Sequence, residues 1–425
     1  MIAQSTQFVV LQMSITNRDG TVENDIRGIY QELNIHDNMM MPCMSGSILL
    51  YDAVGLSSKL KFDGSQYLSL KIIKDSEHPD ELTIDKKFVI YKQTNRSLVN
   101  QTTEMYILNF VSEEFIYSQQ KKIRQSFSGT YSDMVYSILV DYMLAENNIG
   151  TIETTRGIRN YIASNTTPID TIENICKRSV NEKGLPDFMF WETKEGYNFM
   201  SLSTLINENV IANIEFGVKN LGEESSTDLF GARDIKVISQ FDMSENVHQG
   251  AYAGRFIGYD TLTRTIQIRD VSLHDIYEKT NHANENSMNA GMSNKENKSA
   301  HEMFDSRVTL YPFQSSKIDS PWFKQKVPDT LNSLDDSEEY ILQRKSIFQN
   351  LLQRKLRIVM PGNFGFSSGY MVNLNVPNRS NDGNDEPGDK SLTGKYIITG
   401  TRHTIRADKH ETILEVATDS TNLGT

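Results

Sequence analysis

Cysteine is almost absent from this chain: Cys43 and Cys176 are the only two in 425 residues. That excludes a disulfide-stapled secreted scaffold and any cysteine-rich zinc or iron–sulfur site. Basic residues are short as well, with 43 Lys and Arg against 55 Asp and Glu, for a formal charge of −12. A protein that grips duplex DNA needs a cationic surplus to displace counterions from phosphates, and none is present. No apolar stretch is long enough to span a bilayer, and Met1-Ile2-Ala3-Gln4-Ser5-Thr6 lacks the basic-then-apolar order of a signal peptide. Hydrophobic content is low at 38%, yet aromatics at 9% suffice to build cores. At roughly 150 residues per domain, the length suggests about three domains, or two with insertions. The expectation is a soluble, mildly acidic, multidomain protein made in a reducing cytoplasm.

What is present is mostly strand. Val9, Leu11, Met13 and Ile15 alternate with mostly polar neighbours, the period-two pattern of a half-buried strand. Further strands are expected at 48–51, 67–73, 88–91 and 105–111, separated by turn signals such as Asp19-Gly20 and Asp63-Gly64 and by the polar stretch 75–81. Strands so closely spaced argue for an antiparallel barrel or small sandwich, ending near Ser118. An α+β segment over 119–210 follows. Met134, Val135, Ile138, Leu139 and Tyr142 form one helical stripe. A second helix has Thr167 as cap, Pro168 at the first position, Asp170 in the first turn, a buried face of Ile169, Ile172, Cys176 and Val180, and Gly184 to end it. The stretches 188–191 and 197–202 around Lys194-Glu195-Gly196 read as a hairpin.

Strands return at 211–216, 235–241, 255–259 and 265–270, the last two joined by a hairpin at 260–263. These form the first part of a second barrel, 211–275. An insertion over 276–354 then carries a mobile loop at 281–300 and a helix with Tyr340, Ile347 and Leu351, flanked by Ile341, Phe348 and Leu352. The remainder, 355–425, supplies strands at 356–360, 371–376, 396–399 and 412–416 and completes the second barrel. The expected class is mainly β with α+β insertions: two tube-type antiparallel β-barrel domains and an α+β middle domain.

Candidate chemistry is sparse. Gly365-Phe366-Ser367-Ser368-Gly369 is a literal G-x-S-x-G, and Ser367, Asp385 and His403 even follow hydrolase order. The motif needs a strand-to-helix elbow, whereas here Pro361-Gly362 precedes it and a strand follows, so a Gly/Ser hairpin loop is the better reading. His36-Asp37 and His301-Glu302 stand isolated, and His403 with His410 flanks a turn as a surface or packed pair. The Asp382, Asp385, Glu386 and Asp389 loop lacks the spacing of a calcium hand and reads as a solvated turn. Met39, Met40, Met41 and Met44 form a plastic contact surface or divide between loop and core. No phosphate-cradling glycine loop occurs. No residue is nominated as catalytic, metal-ligating or cofactor-binding, no cofactor is called for, and no enzyme is expected.

The closing segment carries a resemblance. It runs Arg357-Ile358-Val359-Met360-Pro361-Gly362, then Gly369-Tyr370-Met371-Val372-Asn373-Leu374 with Val376-Pro377, then Gly394-Lys395-Tyr396-Ile397-Ile398 and Thr401-Arg402-His403, and last Glu411-Thr412-Ile413-Leu414-Glu415-Val416 with Asp419-Ser420. This succession resembles the end of baseplate central hub proteins of contractile-tailed bacteriophages, a group shared with the hub part of type VI secretion spike proteins. The helix from Thr167 through Arg178 and the hairpin from Phe188 are similar to the element between the two barrels of such hubs. The resemblance implies a homotrimeric ring that adapts a sixfold tail tube to a threefold central spike. It implies a central spike protein, a tail tube or tube-initiator protein, baseplate wedge proteins and a tape measure protein as partners, with DNA only passing through the channel. It also implies a place in the virion tail baseplate, assembled in the host cytoplasm. No Gly-rich β-helix or lysozyme-like domain follows, so a spike or peptidoglycan hydrolase is expected on a separate chain. A serine hydrolase using Ser367 and a carbohydrate-binding β-sandwich module are the alternatives.

Overall fold

The computed structural model describes residues 8–17, 20, 22–73, 84–216, 230–240, 242–260, 264, 266–288, 307–313, 337–377, 389–407 and 409–423. The chain begins with seven strands: β1 (Val9–Thr16), β2 (Glu23–Asp25), β3 (Tyr30–Asn38), β4 (Ser45–Asp52), β5 (Tyr67–Ile73), β6 (Ile84–Leu98) and β7 (Glu104–Ser112), with a one-turn helix α1 (Leu56–Lys59) before β5. They pair in the spatial order β3-β4-β7-β6-β5-β1-β2, every pair antiparallel. Alternation decides which side faces in: along β5, Leu68, Leu70 and Ile72 are buried while Tyr67, Ser69 and Lys71 are partly exposed. The inward set, including Ile48, Leu50, Phe88, Leu108 and Phe110, makes one apolar core. At Asp63-Gly64 the chain turns with Gly64 at φ +88°, and Asp63 Oδ1 accepts from the Ser65 amide at 3.1 Å. That is the turn expected of this dipeptide.

The middle element runs α2 (Glu113–Gln120), β8 (Ser126–Gly129), α3 (Tyr131–Asp141), β9 (Ile149–Ile152), β10 (Arg159–Ile162), α4 (Pro168–Arg178), β11 (Phe188–Thr193), β12 (Gly196–Ser201) and α5 (Leu202–Asn207). Helix α3 starts in a full capping box, Thr130 accepting from the Asp133 amide. Helix α4 starts as its sequence dictates: Thr167 Oγ1 accepts from the Asp170 amide at 3.2 Å and Pro168 opens the first turn. Its stop is different from the expected one. The helix ends at Arg178 with Ser179 as cap, and Gly184, at φ +81°, serves the next turn by donating to Asn181 O. Ile172, Ile175 and Cys176 join Phe188 and Phe199 in a second core.

The second large β unit uses β13 (Val210–Phe216), β14 (Gly231–Ala232), β15 (Asp234–Ser239), then, after a long excursion, β20 (Arg354–Pro361), β21 (Met371–Asn375), β22 (Gly394–Arg406) and β23 (His410–Thr418). Its spatial order is β15-β20-β23-β22-β21-β13-β14. Numbered within each half, both halves read third, fourth, seventh, sixth, fifth, first, second. The orders are the same; only the first strand differs, since β1 lies antiparallel to β5 whereas β13 lies parallel to β21. The second half encloses its own core of Ile358, Leu374, Tyr396, Ile398 and Leu414. The halves are then zipped together: the far end of β22 pairs antiparallel with β3, from Gly400 opposite Asn38 to Arg406 opposite Glu32.

The excursion between β15 and β20 holds α6 (Met243–Gln249), β16 (Ala253–Asp260), β17 (Ile266–Ser272), α7 (Leu273–Tyr277), β18 (Asn286–Ser287), β19 (Val308–Phe313) and α8 (Ser337–Leu351). Residues 253–272 are expected from sequence to belong to the second barrel, but β16 and β17 instead form a separate three-stranded sheet with β19, order β17-β16-β19. Phe256 and Val271 on its inner face pack with Leu342 of α8 in the fourth core. The expected loop at 281–300 is anchored at its start, where Asn284 donates to Lys395 O and Thr418 Oγ1, and β18 pairs a last short strand, β24 (Ser420–Thr421). The rest of that loop lies outside the described residues.

Candidate functional site

The G-x-S-x-G loop sits where the two halves and the middle hairpin meet. Gly362 follows β20, and a Cβ there would lie 2.1 Å from the His410 ring, so only glycine lets the loop turn in. Phe364, fully buried, packs against the rings of His403 and His410, with centroids at 5.0 and 4.3 Å. Ser368 O accepts from Trp191 Nε1 at 3.2 Å, and Ser368 N donates to Asp37 Oδ2 at 3.2 Å. Gly369 has φ +96° and leaves 2.8 Å between a would-be Cβ and Trp191. The loop is thus a clasp between β3, β11 and β22. Ser367 is 2% exposed and stands on no strand-to-helix elbow. His403 Nδ1 faces Thr412 Oγ1 at 3.2 Å and His410 Nε2 at 3.3 Å, which makes the two histidines a packed pair. Asp385 lies outside the described residues, as do Asp382 and Glu386. Asp389 folds onto Ser391, accepting from its amide at 2.9 Å.

His36 and Asp37 belong to this junction and not to a metal site. Burial, with Arg402 nearby, lowers the His36 pKa to about 4, so the ring stays neutral. Burial raises the Asp37 pKa to about 6, against the Ser368 amide bond and the nearby polar groups of Thr401. Asp37 Oδ1 and Thr401 Oγ1 face each other across the β3–β22 register without a well-aligned bond. The folded-state pKa of Asp37 exceeds its unfolded value. Its stabilising contribution is therefore complete below pH 4 and is lost as pH rises through about 6. Asp37→Asn keeps an acceptor for Ser368 N and offers a donor to Thr401. It is expected to raise stability by about 1–3 kcal/mol at pH 8 and to change it little at pH 4. Thermal unfolding at the two pH values checks this, and a variant equally destabilised at both would count against it.

A second polar cluster, invisible from sequence spacing, locks the middle element to the first half. The Glu192 carboxylate on β11 is fully buried and pairs with Lys86 Nζ of β6 at 2.8 Å. Its Oε2 accepts from Met44 N at 2.8 Å and from Ser112 Oγ, while Oε1 accepts from Asn148 Nδ2 at 3.0 Å. Lys86 also donates to Thr193 O at 2.8 Å. Glu114, beside them, has its pKa raised by burial and by the Glu192 charge. Burial pushes the Cys43 thiol, 3.5 Å from Tyr197 Oη, far up, and the Cys176 thiol up to about 12. Both cysteines are therefore inert core residues. The methionine run divides: Met39 and Met44 are buried, while Met40 and Met41 are exposed.

The outer face of the β17-β16-β19 sheet is apolar. In register, Ile268, Ile257 and Leu310 share one row, and Ile266 and Tyr259 share the next. Ile266, Ile268 and Leu310 are 66%, 63% and 75% exposed. The third row carries the Arg255–Asp270 ion pair at 2.7 Å, which leaves the face without net charge. Exposed apolar rows of this kind mark contact surfaces. The exposed aromatics Tyr51, Tyr91, Tyr136 and Tyr259 lie on four different elements. Among the described residues no group of three or more His, Cys, Asp or Glu could hold a metal ion, and no helix is long and apolar enough to cross a membrane.

No family model and no curated protein matches the sequence. Solved structures do match the fold. A tail protein from Neisseria meningitidis superposes with a TM-score of 0.54 at 10% identity, covering 97% of each chain. A 43 kDa tail protein of a prophage from Shewanella oneidensis gives 0.53 at 6% identity, covering 96% of this chain and 99% of that one. A type VI secretion component of E. coli, described as similar to the bacteriophage T4 tail proteins gp27 and gp5, gives 0.41 at 8% identity, over 99% and 78% of the two chains. The mainly β fold with α+β insertions is shared with the Neisseria and Shewanella tail proteins over 96–97% of the chain.

Proposed function

We propose that this chain is a structural central hub of a contractile phage tail baseplate, a homotrimer that joins a sixfold tube to a threefold spike. The observation that carries this reading is the repeated strand order of the two β halves. One chain with two like-built halves, set three times around an axis, offers six similar surfaces above and a threefold face below. Closed point-group symmetry of this kind is the common solution for homo-oligomers. On this reading each half acts as a tube-type barrel. The work of the protein is then interface burial, not bond breaking, which accords with a buried Ser367 and with the tail proteins that share the fold.

The apolar face of β17-β16-β19, without net charge, suits contact between copies, because two chains each carrying −12 repel at long range and this face adds nothing to that repulsion. The same acidity suits DNA in transit, since phosphates are not held along the way. The partners are the central spike, the tail tube or its initiator, the wedge proteins and a tape measure protein, all in the virion tail. Light scattering with and without the spike protein tests the proposal. The expected mass is three copies of the 48.4 kDa chain, with the mass of bound spike in addition where the spike is needed for assembly. A strict monomer under both conditions would overturn it.

A further inference from the structure

Helices α4 and α8 flank an open cleft of about 440 Å³, a volume within the usual range for ligand sites. Its walls are Asn174, Lys177 and Arg178 from α4, and Tyr340, Ile341, Arg344, Lys345 and Phe348 from α8. Among the described residues the lining thus carries four cations and no carboxylate, in a chain of net charge −12. Arg344 is fixed in place. Its Nη1 donates to Cys176 O at 3.2 Å and to Pro186 O at 3.1 Å, and its guanidinium lies 4.5 Å from the Phe348 ring centre. That anchoring occupies the two Nη1 hydrogens and leaves those of Nε and Nη2 for other acceptors. Arg178 rests against Tyr161, 5.7 Å from its ring centre. Burial lowers the pKa of Arg344, and burial together with the Arg307 charge lowers that of Lys345, so the positive charge here is held at a cost that an anion would remove.

We propose that this cleft binds an acidic peptide segment of a partner protein, with carboxylates on Lys177, Arg344 and Lys345 and an apolar side chain against Ile341 and Phe348. Charge complementarity selects a polyanion, and the apolar wall selects a peptide over a bare inorganic ion. A nucleic acid fits less well, since the chain as a whole repels it and the cations surround a cleft instead of tracing a stripe. The proposal stands on the lining of the cleft and does not rest on the hub reading.

The test is fluorescence anisotropy on the full chain with a labelled Asp-Glu-Phe-Glu-Asp peptide, against Asn-Gln-Phe-Gln-Asn as control. The acidic peptide is expected to bind, more weakly as salt is raised, and the amide peptide not to bind. Lys177→Glu with Lys345→Glu is expected to weaken binding tenfold or more. Lys177→Ala with Lys345→Ala, which adds no new charge, should weaken it in the same direction if the reversal variant proves unstable. Absence of binding by the native chain at millimolar peptide, equal binding by the variants, displacement by equimolar inorganic phosphate, or tighter binding of a single-stranded DNA oligomer would each overturn the proposal.

Discussion

Lys86→Met is expected to destabilise the chain by about 3–5 kcal/mol, the usual cost of stranding one member of a buried ion pair. The substitution keeps an unbranched side chain one heavy atom shorter but leaves the Glu192 carboxylate, fully buried, with only neutral donors from Met44, Ser112 and Asn148. It also removes the donor to Thr193 O. Those contacts hold the β11–β12 hairpin against the β4 and β7 strands, so the middle element should loosen before the first half does. Calorimetric unfolding of the variant beside the native chain is the measurement. A loss below about 1 kcal/mol, the range of exposed ion pairs, would mean that Lys86 and Glu192 are hydrated and not clamped.

Trp191→Ala should cost a similar amount, about 3–5 kcal/mol, through loss of a large buried ring and the cavity it leaves. Trp191 is 2% exposed, packs with Met371 and Ile397 in the same core, and fixes the 362–369 clasp through Ser368 O and its close approach to Gly369. Trp191→Phe separates the two contributions. It keeps most of the apolar volume but leaves a buried carbonyl without its donor, a penalty of about 1–3 kcal/mol. Limited proteolysis gives the local readout: cleavage within 362–369 should appear in Trp191→Ala under conditions where the native chain resists. A variant that melts normally and stays resistant would show that the clasp holds without the ring.

Much of the architecture is written locally. The alternation of β1, the cap and proline of α4, the Asp63-Gly64 turn and the apolar face of α8 each depend on residues within a few positions of one another. Backbone geometry then fixes the element with little help from elsewhere. The resemblance drawn from the spacing of the last seventy or so residues rests on the same kind of signal, repeated strand by strand.

Strand β3 was not legible in this way. Its run Asn34-Ile35-His36-Asp37 looks too polar for a buried strand, yet Asn34 and Asp37 are buried. Asn34 Oδ1 accepts from Arg402 Nη2 at 2.9 Å and from Thr404 Oγ1 at 2.9 Å, partners more than 360 residues away in the chain. For the same reason β22 is thirteen residues long where the sequence suggests four: its far end runs between β23 and β3 and pairs with both. The sorting of β16 and β17 with β19, away from the large sheet, was likewise settled by a parallel pairing across the intervening chain. By itself the sequence determined the elements whose signals are local, among them β1, β5, the start of α4 and the Asp63-Gly64 turn. Tertiary structure alone decided which strands are neighbours, that both halves share one order, and which polar groups are tolerable inside. Pairing partners distant in sequence leave no periodic trace, and a buried polar group becomes affordable only once its partner arrives.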